Sequence, residues 1–178
     1  MHEGNFADWP LRWLYFLSGL GGCAMIGTGL VLWASKRQAK AGLATRWITR
    51  LNVGVIVGLW PAIAAYFWAN RLLPTGLADR SAWEMHALFS TWALLLVHGC
   101  IRPHRAAWRE QLWLSAAACL LIPVLDALTT DRHLAISLPA GDFVLAAFDA
   151  TAMVIGLAFA AAAIKVAARP NTVRRSTR

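Results

Sequence analysis

Charge is what this sequence has least of. Only 15% of its 178 residues are Asp, Glu, Lys or Arg, while 58% are hydrophobic; a soluble domain carries about 25% and about 45–50%. The composition therefore excludes an ordinary soluble domain and points to a membrane protein. Cysteine is scarce as well. Cys23, Cys100 and Cys119 fall in three separate apolar runs with no CxxC pair, so neither a zinc site nor a disulfide framework is implied. There is no GKS/T loop, no GxSxG and no HExxH. The GLGG at 19–22 lies inside an oily run and lacks the strand, turn and acidic partner of a dinucleotide site. The opening MHEGNFADWP has neither a basic n-region nor a cleavage site, which argues against a signal peptide. Any chemistry must come from the few polar side chains in or beside the apolar segments.

Those segments are long. A membrane span needs about 20 mostly apolar residues, and five runs reach or approach that: 11–34, 51–70, 82–101, 112–130 and 143–168. The expected fold is all-α, an integral membrane bundle of five transmembrane helices forming a single domain, followed by a basic tail at 169–178. Cytoplasmic loops collect Lys and Arg, and 13 of the 17 basic residues lie on one set of alternating sides. They are Lys36, Arg37, Lys40, Arg46 and Arg50 in the first loop, Arg102, Arg105 and Arg109 in the third, and Lys165, Arg169, Arg174, Arg175 and Arg178 at the C-terminal end. The N-terminus is expected outside and the C-terminus in the cytoplasm. Eight of the ten Trp fall near predicted helix ends, as aromatic belts require. The formal net charge of +8 is explained by topology, since the basic residues form short blocks between oily runs; no nucleic-acid partner is expected.

Small residues recur every fourth position in two runs: Gly19, Cys23 and Gly27, then Gly54, Gly58 and Ala62. This spacing lets helix backbones approach closely. Pro61 and Pro123 predict kinks, because each removes a backbone donor in mid-helix.

The polar residues carry two readings each. Ser81-Ala82-Trp83-Glu84 matches the S-x-x-E capping box, so Glu84 is either a helix cap or a proton or cation site. His86 is either bonded to a neighbouring helix or a metal ligand. His98 lies twelve residues further on, about 18 Å along the helix axis and about 120° around it, so the two histidines cannot share one metal. His2 and His133 are expected at the depth of His86, which makes an outer bis-histidine haem conceivable; His98 has no second histidine near it. Asp126 and Asp149 are expected near the outer ends of their helices, with Arg71 on the same side. Arg71 can pair with either carboxylate or grip an anionic ligand; the alternatives are a polar clamp between helices and a proton relay.

The stretches LRWLYFLSGLGGCAMIGTGLVLW, RLNVGVIVGLWPAIAAYFWANRLLP and RPHRAAWREQLWLSAAACLLIPVLDALTTDRHL resemble the C-terminal membrane portion of PepSY-associated transmembrane proteins, iron-regulated proteins of the bacterial inner membrane. The resemblance covers nearly the whole chain, with LNV…ANRLLP its most specific part. It implies a bacterial inner-membrane location, a link to siderophore or iron uptake, and b-type haem carrying electrons across the bilayer as part of a ferric-siderophore reductase. MHEGNF resembles the family's LHxG-type histidine segment, so a haem-ligand role is carried over to His2 alone. Longer members have a further N-terminal helix and PepSY modules before this region, so this chain is expected to be part of a larger or split protein. The candidate haem ligands are His2, His86 and His98; the candidate ligand or proton site is Arg71, Glu84, Asp126 and Asp149. The alternative is a non-enzymatic scaffold or accessory subunit docking onto a PepSY-bearing or siderophore-uptake partner, or onto its own copies.

Overall fold

The computed structural model describes residues 9–38, 42–130, 134–139 and 143–168. Among them the chain is wholly helical: α1 Trp9–Gln38, α2 Leu43–Ile56, α3 Leu59–Leu72, α4 Arg80–Ile101, α5 His104–Thr129, the short α6 Leu134–Ser137, and α7 Phe143–Ala168. Five stretches are long and apolar enough to cross a membrane, with α2 and α3 together making one of them, Arg46–Leu72.

The chain divides into two compact units, Met1–Asn52 and Val53–Arg178. In the first, the Asn52 side-chain amide donates to the Leu30 carbonyl at 3.2 Å and ties α2 to α1. Along α1, Thr28 and Ser35 return their hydroxyls to carbonyls three or four residues back, which satisfies a polar group inside an apolar helix.

In the second unit, α5 packs most extensively on α7, and α3 on α4 and α5. One apolar cluster joins Ala64, Ala118, Ile122 and Ala152; another joins Val57, Leu112 and Ala163. Trp60 meets Phe159 and Phe67 meets Phe148, both edge to face, with ring centroids 5.3 and 5.2 Å apart. Small residues bring the backbones together: a Cβ on Gly54 would stand 2.8 Å from the Leu96 Cα, and one on Gly156 2.7 Å from the Leu120 Cγ. The small-residue run of the second span is thus used as its spacing predicts. Arg105 donates to the Val166 carbonyl at 3.3 Å, tying the start of α5 to the end of α7.

Within this unit polar side chains are buried while large apolar ones face outward. Gln111, Ser115, Glu84, Asp126 and Asp149 are buried, whereas Leu94, Ile101, Leu128 and Val154 are each more than 60% exposed. In water such an apolar exterior would be an aggregation hazard; against lipid it is the expected surface.

Pro61 acts as its chemistry predicts. It has no N–H to give the Val57 carbonyl four residues earlier, and its ring crowds that carbonyl. The helix opens there, between α2 and α3. The Val53 carbonyl accepts from both Val57 and Gly58, at 2.9 and 3.3 Å, and the Val57 carbonyl accepts from Trp60 at 3.2 Å. By contrast, α5 runs without interruption through Pro123.

Candidate functional site

Two polar clusters lie at opposite ends of the second unit. The first is formed where the end of α3 meets the start of α4, the end of α5 and the start of α7. Arg71 closes α3, and its Nε lies 2.7 Å from the Asp126 Oδ1 on α5. Asp126 is buried and Arg71 partly exposed, so the pair sits at a boundary between interior and surface. Of the two pairings open to Arg71, the structure takes Asp126. Asp149 is buried on α7.

Beside this pair, the Asn70 amide donates to the Glu84 Oε1 at 3.0 Å, and the Arg80 Nε stands 3.4 Å from the same oxygen. Arg80 also donates to the Asn70 carbonyl. The expected capping box does not form. Helix α4 starts at Arg80 with Asp79 as N-cap in the left-handed region, φ 52°, and without a side-chain cap bond. Asp is among the few residues that tolerate that conformation. Ser81 therefore lies inside the helix, and Glu84, buried at 6% exposure, accepts from Asn70 on α3 and stands beside the Arg80 side chain instead of closing a box with Ser81.

Phe67, Trp68, Arg71, Ile122, Asp126 and Phe148 help to line a cavity of about 240 Å³ next to the ion pair. The indole Nε1 of Trp68 is buried and has no acceptor.

The second cluster is at the other end. The His98 Nε2 lies 3.0 Å from the Glu110 Oε2, and its Nδ1 3.2 Å from the Gln111 Nε2. Arg102 holds both Glu110 oxygens, its Nε donating at 2.9 Å. That hydrogen bond first, and the charge of Glu110 second, raise the Arg102 guanidinium above its ordinary value. Gln111 also donates to the Leu95 carbonyl at 2.7 Å, which closes α4 against α5. His98 thus has hydrogen-bond partners in its own chain, and they are not histidines. The sequence reading missed Glu110 and Gln111 because it placed them in or beside a loop; α5 begins at His104, eight residues before the apolar run.

A Gln111→Leu protein tests this closure. It leaves the Leu95 carbonyl without its side-chain donor and His98 without its Nδ1 partner, at a cost of about 1–3 kcal/mol, read as a lower unfolding midpoint in detergent. An unchanged midpoint would show that the contact holds nothing together.

His86 is different. It is exposed on α4, and its ring meets the Trp83 ring at 5.8 Å and 62°. It makes no hydrogen bond or ion pair among the described residues. His2 and His133 lie outside the described residues. His104 accepts the Trp108 indole N–H at 3.2 Å. Among the described residues, no three His, Cys, Asp or Glu side chains gather as a metal site.

Apolar helices of membrane-crossing length, with polar clusters held inside the second unit, define a multi-pass helical membrane protein. The family described as the PepSY-associated TM region matches residues 1–36, the family that the sequence resembles. That match takes in His2 and the glycines of α1, whereas LNV…ANRLLP lies beyond it. An uncharacterized protein of Pseudomonas aeruginosa is similar, 29% identical over 117 residues, which is 64% of this chain. The chain spans 29% of that relative's length. No solved structure matches the chain.

Proposed function

We propose that this chain is the membrane part of an iron-linked electron-transfer protein of the bacterial inner membrane, N-terminus outside and C-terminus cytoplasmic, that binds b-type haem through His86. The orientation rests on the loop distribution of the basic residues. The siderophore or iron-uptake link rests on the family resemblance, and the activity of any longer protein containing this chain belongs to the same proposal.

The observation that carries the haem reading is the contrast between the two histidines of α4. Iron needs an imidazole nitrogen with a free lone pair. Both nitrogens of His98 are engaged, by Glu110 and Gln111, so His98 does not fit and is set aside as a ligand. His86 would hold the iron, since neither of its nitrogens is hydrogen-bonded among the described residues. An unpartnered imidazole on a membrane-length helix is costly, and coordination removes that cost. The second ligand falls to His2, to His133 or to another copy of the chain. Haem bound there would supply one-electron chemistry; the helices contribute a dry setting that tunes its potential.

Reduced-minus-oxidised spectra of the purified protein provide the test. We expect b-type bands that disappear in His86→Ala and persist in His98→Ala. Absence of bands, or their loss in His98→Ala with retention in His86→Ala, would overturn the reading. A band-free chain that co-purifies with a PepSY-bearing protein would instead support a non-enzymatic accessory subunit.

A further inference from the structure

The Gln111 side chain is almost fully buried, at 1% exposure, and its two ends are treated unequally. Its Nε2 lies 2.7 Å from the Leu95 carbonyl oxygen and 3.2 Å from the His98 Nδ1, while its Oε1 is buried with no donor. The amide cannot be reversed where it stands, because that would set two oxygens 2.7 Å apart at Leu95. One Nε2 hydrogen therefore goes to the Leu95 carbonyl and the other to the His98 Nδ1. That nitrogen is an acceptor, so the ring hydrogen sits on Nε2 and is donated to the Glu110 Oε2 at 3.0 Å.

A second proton on this ring has only one place to go. The imidazolium differs from the Nε2–H tautomer by a hydrogen at Nδ1, and there it meets the Gln111 NH2, donor against donor. On the other side it adds no bond, since Nε2–H already reaches Glu110. The charge of Glu110 attracts an imidazolium, but Arg102 holds both Glu110 oxygens and opposes it. Gln111 can answer the new N–H only by turning Oε1 toward it, which withdraws the NH2 from Leu95. The place that Oε1 leaves has an acceptor at hand: a Cβ on Gly58 would stand 3.1 Å from that Oε1 and 2.5 Å from the Gly54 carbonyl oxygen. Among the described residues, Glu110 and Arg102 are the charged groups at the ring; α2 and α3 bring the uncharged Gly54 and Gly58 to this place. Helix α4 packs far less on α5 than on α3, so little else backs up the Gln111 tie.

We infer that His98 is a proton-binding site that controls the contact between α4 and α5. The neutral ring closes the contact through Gln111, and the protonated ring releases it. The sign follows from the tautomer. The folded contact is built for the neutral form, so the unfolded chain takes up the proton more readily and stability rises with pH. The tie is held above the ordinary imidazole range, about pH 6.5, and lost as the pH falls through it. Haem plays no part, and none of the readouts is a haem spectrum.

The test uses the full chain in detergent, labelled with ¹⁵N-histidine for NMR and unfolded with sodium dodecyl sulfate. At about pH 8, above imidazole titration, the resonances missing from His98→Gln should show the Nε2–H tautomer; an Nδ1–H tautomer would overturn the inference. From about pH 8 to about pH 5, the unfolding constant of the parent should rise about threefold to tenfold more than that of His98→Gln, the worth of one net hydrogen bond. Equal pH dependence in the two proteins, or a smaller rise in the parent, would count against the site. Gln111→Glu puts an acceptor opposite Nδ1 and should reverse the sign, gaining stability at the lower pH; a change in the parent's direction would sink the idea. Hydrogen exchange of the parent over residues 95–111, corrected for intrinsic rate, keeps the test decisive if the variants fail to fold. Protection there should fall by a similar factor at the lower pH, and unchanged protection would show that protonation releases nothing.

Discussion

A Gly54→Leu protein is expected to lose the close approach of α2 to α4, and Gly54→Ala to be destabilised by about 1–3 kcal/mol, the range for overpacking a close-packed contact. The reason is what the new atom meets. A Cβ at Gly54 would lie 2.8 Å from the Leu96 Cα and 3.1 Å from the Leu95 carbonyl oxygen. Both are backbone, so a rotamer change cannot relieve the clash and the helices must move apart. The Gly54 carbonyl also accepts the Trp92 indole N–H at 3.2 Å, so separation would cost that bond too. Lipid offers little hydrophobic compensation, because helix association in a bilayer rests on van der Waals contact and hydrogen bonds. Unfolding of the detergent-solubilised protein in a titration with sodium dodecyl sulfate measures the effect. Gly76→Ala is the control, since nothing lies within 4 Å of a Cβ there. If Gly54→Ala unfolds with Gly76→Ala and the parent, to within about 0.5 kcal/mol as at an ordinary surface site, the close approach is not a source of stability.

The second large effect is expected at the ion pair. Arg71→Met leaves Asp126 buried without its cation. Breaking a fully buried pair from one side costs about 3–5 kcal/mol. The Arg71 side chain is 37% exposed, so water relieves part of that and about 2–3 kcal/mol is expected. Arg71→Met with Asp126→Leu should regain most of the loss, because apolar side chains of similar size replace buried pairs with little penalty. The same denaturant titration reads all three proteins. A double variant as unstable as Arg71→Met would show that the site depends on shape and not on charge.

How much of this could be read beforehand differs from element to element. The last span, 143–168, coincides with α7 because its apolar run ends where the helix does. The start of α5 was hidden by RPHRAAWRE, whose basic residues are unfavourable near a helix N-terminus and resemble a loop. In the structure Pro103 stands as the N-cap of that helix, and Glu110 comes round to face α4. The Arg71 pairing was legible as a choice between two carboxylates; selecting Asp126 required the packing of α3 on α5. Glu84 was misjudged for a local reason. The S-x-x-E pattern holds only if Ser81 is the N-cap, the last residue before the helix, and here Asp79 takes that place, so the helix already starts at Arg80. The difference between His86 and His98 is invisible along one helix, because it is made by Glu110 and Gln111 on another.

The opening between α2 and α3 has a consequence for where water is needed. Beyond the Trp60 N–H, the Val57 carbonyl has the Ser115 hydroxyl 3.4 Å away, while that hydroxyl also lies 2.8 Å from the Gln111 carbonyl. One buried hydroxyl hydrogen is therefore shared between the break and α5, in the place a water would otherwise take. The proline break is bridged by a neighbour's side chain, and the second span is anchored on either side of it, with Gly54 against α4 before the break and Arg71 paired to α5 after it.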